Sequence, residues 1–161
     1  MNLIPVNPGE LGGVDADQWF TDLVRVETRL YNAVEDRLRA EHGLTAGQYQ
    51  FLRVIAATEH CRVLDLVREI GISVGATSKA VDRIEAAGWC RRSPNPNDRR
   101  SSYLTLTEAG ERLLASATPV WTRTISEHLA GAVSEDAVAR SGETLAALRR
   151  SLEERQQVAD D

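Results

Sequence analysis

The segment from Ser93 to Gly110 constrains this chain more than any other. Ser93-Pro94-Asn95-Pro96-Asn97-Asp98 is a turn-forming run that can continue neither a helix nor a strand. Arg99 and Arg100 follow directly, and a short alternating stretch then carries Tyr103, Leu104 and Leu106 into a helix start at Thr107. The pattern predicts a β-hairpin with strands near Trp89–Arg92 and Ser101–Leu106. Its stem is anchored in a core and its tip is polar and cationic. Such a tip suits a polyanion, and arginine suits a narrow minor groove, where negative potential is concentrated.

Upstream, the sequence reads as two short helices joined by a tight turn. Val63, Leu66, Val67 and Ile70 share one face of a helix over 63–70. Gly71-Ile72 turns the chain, because glycine accepts the left-handed backbone that ends a helix. Ser73 caps the next helix, which runs to about Ala87 with Val74, Thr77, Val81 and Ile84 as its buried stripe. Its other faces show Gly75, Ala76, Ser78, Lys79, Asp82 and Arg83, and Gly88 stops it. A helix-turn-helix followed by a hairpin is a winged helix-turn-helix.

The flanks are helical. Residues 1–14 hold two prolines and three glycines and are expected to form a flexible N-terminal arm. A helix follows from Ala16 to about Glu41, capped by Asp15 or Asp17 and ended by Gly43. Trp19, Phe20, Leu23, Leu30, Tyr31, Val34 and Leu38 recur along it at helical spacing. Thr45 and Gln48 form a capping box that starts another helix, to about Ala57, burying Tyr49, Leu52 and Ile55. After the hairpin, a helix from Thr107 to about Leu129 carries Leu113, Leu114, Val120, Trp121 and Ile125. Pro119 is expected to kink it. A last helix begins at the Ser134 cap and carries Val138, Leu145, Leu148 and Leu152.

Composition excludes several classes. At 161 residues the chain is expected to hold one domain or one domain with extensions, and its 42% hydrophobic and 27% charged residues are ordinary for a globular protein. No apolar stretch approaches the ~20 residues of a membrane span, and the N-terminus lacks the pattern of a secretory signal. The expectation is a cytoplasmic protein with no membrane partner. Cys61 and Cys90 lie far apart, and His42, His60 and His128 lack zinc-ligand spacing, so neither a metal nor any other cofactor is expected. No nucleophile motif, phosphate-binding glycine loop or pair of catalytic carboxylates stands out, which argues against an enzyme. The net charge is −5, yet His60–Tyr103 holds eight Lys/Arg against five Asp/Glu. That window carries +3 and the remainder −8, a locally basic module in an acidic chain.

These residues resemble the MarR family of bacterial winged helix-turn-helix transcriptional regulators. Val63–Ser73 is similar to that family's first helix and turn, and Lys79–Trp89 to its recognition helix and exit glycine. Arg91-Arg92 through Asp98-Arg99-Arg100, then Leu106-Thr107-Glu108-Ala109-Gly110, is similar to its wing and following helix start. The spacing Asp-x-Arg, five residues, Leu-Thr is complete. The match runs continuously from about Val63 to Gly110, and the flanks agree in length and pattern.

The resemblance implies a mainly α fold organised in four parts. These are the arm (1–14), an N-terminal dimerisation helix (15–44), a winged helix-turn-helix DNA-binding domain (45–106) with its β-hairpin wing, and C-terminal dimerisation helices (107–161). It implies a homodimer that sets two recognition helices in successive major grooves of a pseudo-palindromic operator on double-stranded DNA. The expected activity is repression relieved by a small aromatic or phenolic effector.

Ser73, Ser78 and Lys79 are then expected to present hydroxyl and ammonium groups to phosphates and base edges. Gly75 and Ala76 allow close approach or touch a thymine methyl, and Arg83 reaches a phosphate. Val74 stands where relatives often carry a polar residue. Asp98 is expected to pair with Arg100 and stiffen the wing, while Arg99 or Arg100 enters the minor groove. Arg91 and Arg92 either pair with acidic neighbours or touch DNA, and Asp82 and Glu85 read as a solvated face. Trp19 and Arg92 are the candidate effector contacts, by stacking and by pairing with a carboxylate. Both cysteines read as inert thiols. The rival class is a winged helix used as a protein-interaction module within a larger assembly.

Overall fold

Asp15 starts the first long helix, its carboxylate accepting hydrogen bonds from the backbone N–H groups of Asp17 and Gln18 at 2.9 and 3.2 Å. The computed structural model describes residues 10–98 and 100–160. Its elements run β1 (Glu10–Leu11), β2 (Val14–Asp15), α1 (Ala16–His42), α2 (Ala46–Ala57), α3 (Val63–Ile70) and α4 (Val74–Ala86). They continue with β3 (Cys90–Pro94), β4 (Ser102–Leu106), α5 (Glu108–Leu129) and α6 (Glu135–Asp160). Of the arm expected over 1–14, residues 1–9 lie outside the described residues, and β1 and β2 pair antiparallel at its end.

The caps fall where residue chemistry puts them. Gly43 and Gly71 end α1 and α3 in the left-handed region, at φ 62° and 75°. Thr45 and Gln48 complete their capping box at 3.0 and 2.9 Å. Ser73 Oγ accepts from Ala76 N–H at 3.3 Å, and Ser134 Oγ from Ala137 N–H at 3.2 Å. α5 runs through Pro119 as one helix.

The described residues up to Thr124 form one compact unit. Its core joins Val34 and Leu38 of α1 to Tyr49, Leu52 and Ile55 of α2, Leu66 of α3, Val81 and Ile84 of α4 and Leu104 of β4. The first part of α5 belongs to this unit through buried Ala117, Val120 and Thr124, and Trp121 stacks on Tyr49 with ring centroids 4.6 Å apart. The compact unit therefore closes inside α5. The N-terminal half of α1 contributes none of these buried residues, and Trp19, Phe20, Val24 and Val26 remain exposed. The second unit begins at Ile125 and is mostly α6, whose Leu145, Leu148 and Leu152 are exposed on one face.

Val74 departs from its expected place in the buried stripe of α4, being 51% exposed. It is the first residue of the helix, where the stripe set by Thr77, Val81 and Ile84 has run past its packing partners.

The wing is an antiparallel pair in the register Cys90↔Leu106, Arg92↔Leu104 and Pro94↔Ser102. Leu104 N–H also donates to Cys61 C=O at 2.7 Å, tying β4 to the segment before α3. The wing's exit is tied to its entrance. Thr107 N–H donates to Trp89 C=O at 3.0 Å, and its hydroxyl donates to Gly88 C=O at 2.6 Å while accepting from Gly110 N–H at 3.1 Å. Gly110 is required by this contact, since a Cβ there would stand 2.0 Å from the Trp89 carbonyl oxygen. That clash is with backbone and cannot be relieved by a rotamer change. Gly110→Ala should accordingly destabilise the fold by about 3 kcal/mol, read as a lower urea midpoint with an unchanged m-value. An unchanged midpoint would mean that this junction does not hold the domain.

Candidate nucleic-acid interface

The outward surface of the helix-turn-helix is built by the first turns of α4. Gly71 through Ala76 are all exposed, as are Lys79, Asp82 and Arg83, while Ser78 is half-buried. Thr77 is fully buried and satisfies its hydroxyl by donating to Ser73 C=O at 3.0 Å. That leaves Ser73, Gly75, Ala76 and Lys79 facing solvent together. Ser73 Oγ already accepts the capping bond, so its own O–H is free to donate to a phosphate oxygen. Lys79, Arg83 and Arg100 form no ion pair with any described residue, and each is exposed.

The wing tip is organised differently from the sequence expectation. Asp98 does not stiffen the wing by pairing with the Arg100 guanidinium; its carboxylate accepts the Arg100 backbone N–H at 2.9 Å. Asn95, only 6% exposed, does most of the tying. Its side-chain oxygen accepts Asn97 N–H at 2.9 Å, and its amide donates to Ser101 Oγ at 2.7 Å. Asparagine bonding its own backbone two residues on is ordinary turn chemistry, so the signal lay in the Pro-Asn-Pro-Asn run. Arg99 lies outside the described residues.

Arg92 pairs with acidic neighbours, one of the two places expected for it. Its guanidinium bonds Asp82 at 2.7 Å and Glu85 as well, and its backbone N–H donates to Glu85 Oε1 at 3.0 Å. Asp82 and Glu85 are thus no idle solvated face, because they clamp the base of the wing to α4. Burial works against the charge on Arg92, but these hydrogen bonds outweigh it and hold its pKa above the ordinary value. Arg91, by contrast, is exposed and donates to Thr105 Oγ1 at 3.2 Å.

A second acid–base pair braces the turn. Asp65 accepts from the Arg62 backbone N–H at 2.8 Å and from its side chain at 3.2 and 3.3 Å. Burial raises the Asp65 pKa, but the Arg62 bonds prevail and keep it below the usual carboxylate range.

A cavity of about 190 Å³ lies between the start of α2 (Thr45, Gly47, Gln48, Phe51) and α4 (Ala80, Arg83, Ile84). Neither Trp19 nor Arg92 lines it. Trp19 is 39% exposed on the free half of α1.

Both cysteines are buried thiols, Cys61 beside α3 and Cys90 in β3. Burial pushes each up to about 11. Among the described residues no group of His, Cys, Asp and Glu could hold a metal ion, and no helix is long and apolar enough to cross a membrane.

Comparison with known proteins agrees with this geometry. Residues 44–102 match the model of the MarR family. The chain is 27% identical over 114 residues to the multiple antibiotic resistance protein MarR of Escherichia coli, covering 68% of this chain and 79% of that one. It is 39% identical over 59 residues to the HTH-type transcriptional regulator YwhA of Bacillus subtilis, covering 37% and 42%. In fold it is similar to Sco3205 of Streptomyces coelicolor, a MarR family transcriptional regulator solved in complex with DNA. That match has a TM-score of 0.76 and 22% identity, over 86% of this chain and 93% of the other.

The raised thiol values carry a test. At pH 8 both thiols are protonated and shielded, so iodoacetamide should label native protein far more slowly than protein in urea. Their folded values exceed the ordinary 9.0. The associated stability is therefore complete below pH 9 and declines as pH rises towards 11. Rapid labelling of either cysteine in the native state at pH 8 would contradict the burial described.

Proposed function

We infer that this chain, whose residues 44–102 form a MarR-family domain, is a sequence-specific transcriptional regulator that binds double-stranded DNA as a homodimer. The observation that carries this reading is the shared exposure of the first turns of α4 and the wing tip, with Lys79, Arg83 and Arg100 unpaired among the described residues. Exposed cations on two adjoining elements gain little from the protein itself, whereas a phosphate backbone rewards each of them by counterion release.

In this reading α4 enters the major groove. Ser73, Ser78 and Lys79 meet phosphates and base edges, Gly75 and Ala76 let the backbone come close, and Arg83 holds a phosphate. The wing carries Arg99 and Arg100 to the adjacent minor groove, with the Arg100 backbone held by Asp98. The exposed apolar residues of α1 and of α6 (Trp19, Phe20 and Val24; Leu145, Leu148 and Leu152) supply surface for the partner subunit. Two-fold symmetry then requires a pseudo-palindromic operator with half-sites about 34–36 Å apart.

The regulator is a cytoplasmic repressor with no catalytic step. It is released when a small aromatic or phenolic effector favours a spacing of the two α4 helices that DNA cannot accept. Trp19 remains a candidate effector contact, and Arg92 enters this reading as the clamp between wing and α4.

Titrating wild type, Lys79→Ala and Arg100→Ala with duplexes enriched from a random-sequence pool, at several salt concentrations, tests the assignment. Wild type should show a steep salt dependence, and Arg100→Ala should flatten the slope by about one unit. Lys79→Ala should weaken binding by about 1–3 kcal/mol, with relaxed preference at one position if it reads a base. No duplex binding at any salt would point instead to a protein-interaction module.

A further inference from the structure

Two large apolar side chains stand exposed at the leading end of α4, on either side of its Ser73 cap. Val74 is 51% exposed and Ile72 37%. Single exposed aliphatics are common and need no explanation, but the setting of these two does. They flank Ser73 at the start of the element that carries the DNA-binding reading, and neither is needed to start the helix, since the Ser73 hydroxyl does that.

The next residue sharpens the point. Gly75 lies inside the first turn with a backbone that is not left-handed, and a Cβ built there meets no atom within 4 Å. The fold has no steric use for glycine at this position. A glycine that packing does not need fits a surface approached closely by something outside the chain. Ala76, also exposed, keeps that surface small.

We propose that Val74, flanked by Ile72, reads the 5-methyl group of thymine by apolar contact in the major groove. The inference rests on the DNA-binding reading above and adds a specificity to it. Recognition helices present their N-terminal residues to base edges, and Val74 is the first residue of α4. It can neither donate nor accept a hydrogen bond. The base edges in that groove are donors and acceptors except at thymine, whose methyl is their one apolar feature. Val74 therefore selects a T·A pair by its methyl, and Gly75 and Ala76 let the helix descend far enough for contact.

The test uses duplexes enriched from a random-sequence pool by the wild-type protein. Each thymidine in a half-site is replaced in turn by deoxyuridine, which removes the methyl and leaves every hydrogen-bonding group in place. Wild type and Val74→Ala are titrated on each duplex. Val74 is exposed and alanine favours helix, so this variant keeps the fold, as its thermal midpoint will report.

At one position per half-site, wild type should bind the deoxyuridine duplex about fourfold more weakly, the worth of one buried methyl. Val74→Ala should bind the thymidine duplex more weakly than wild type and lose the discrimination there. Equal wild-type binding to every thymidine and deoxyuridine duplex would overturn the proposal, and so would enriched duplexes without a fixed thymidine. Discrimination that survives intact in Val74→Ala would overturn it too, while leaving DNA binding itself standing. Failure of wild type to enrich any duplex would remove the DNA-binding reading and this one with it.

Discussion

The carbonyl oxygen of Trp89 is the point on which the domain's geometry turns. Trp89 follows the glycine that ends α4 and leads into the wing. Its carbonyl receives the Thr107 N–H as the wing returns, and α5 passes so close above it that residue 110 can carry no side chain. Thr107 adds two further bonds, to Gly88 and from Gly110. The end of α4, both strands of the wing and the start of α5 therefore meet within one hydrogen-bonded knot. A protein that grips a duplex with a helix and a hairpin needs their relative position set before binding, because ordering them on contact would cost affinity.

Charge is divided between holding and reaching. Arg92 and Arg62 are committed to carboxylates of the chain itself: one clamps β3 to α4 through Asp82 and Glu85, and the other braces the turn before α3 through Asp65. Lys79, Arg83 and Arg100 face outward without a partner among the described residues. The +3 excess over residues 60–103 sits in a chain of net −5, so attraction to a polyanion is concentrated at one surface and opposed elsewhere. That distribution favours one docking orientation over indiscriminate binding.

The elements whose start and stop are set by local chemistry could be read from the chain. Asp15, Gly43, the Thr45–Gln48 box, Gly71 and Ser73 each impose a cap through their own side chain or its absence, and the helices begin and end there. The hairpin was legible for the same reason, since its turn run admits no other structure. What escaped depends on contacts distant in sequence. Glu85 and Arg92 meet only because the chain reverses at Gly88, and no periodicity marks them as partners. Asn95 was hidden in a run read only as polar turn, although the turn buries it. Val74 continues the i−3 spacing of the stripe, but packing does not reach the helix end, so it stands exposed. Gly110 could be seen as part of a motif, yet its cause, the approach of a backbone carbonyl twenty-one residues earlier, is a three-dimensional fact.

The central claim is that two such domains, related by two-fold symmetry, read successive turns of one duplex face. Hydroxyl-radical footprinting of the wild-type protein on an enriched duplex examines that arrangement at single-nucleotide resolution. The account predicts two equivalent protected stretches about one helical turn apart, related by the dyad of the site, each flanked by protection of the adjacent minor groove where the wing lies. A single protected stretch, or protection unrelated by any dyad, would contradict it.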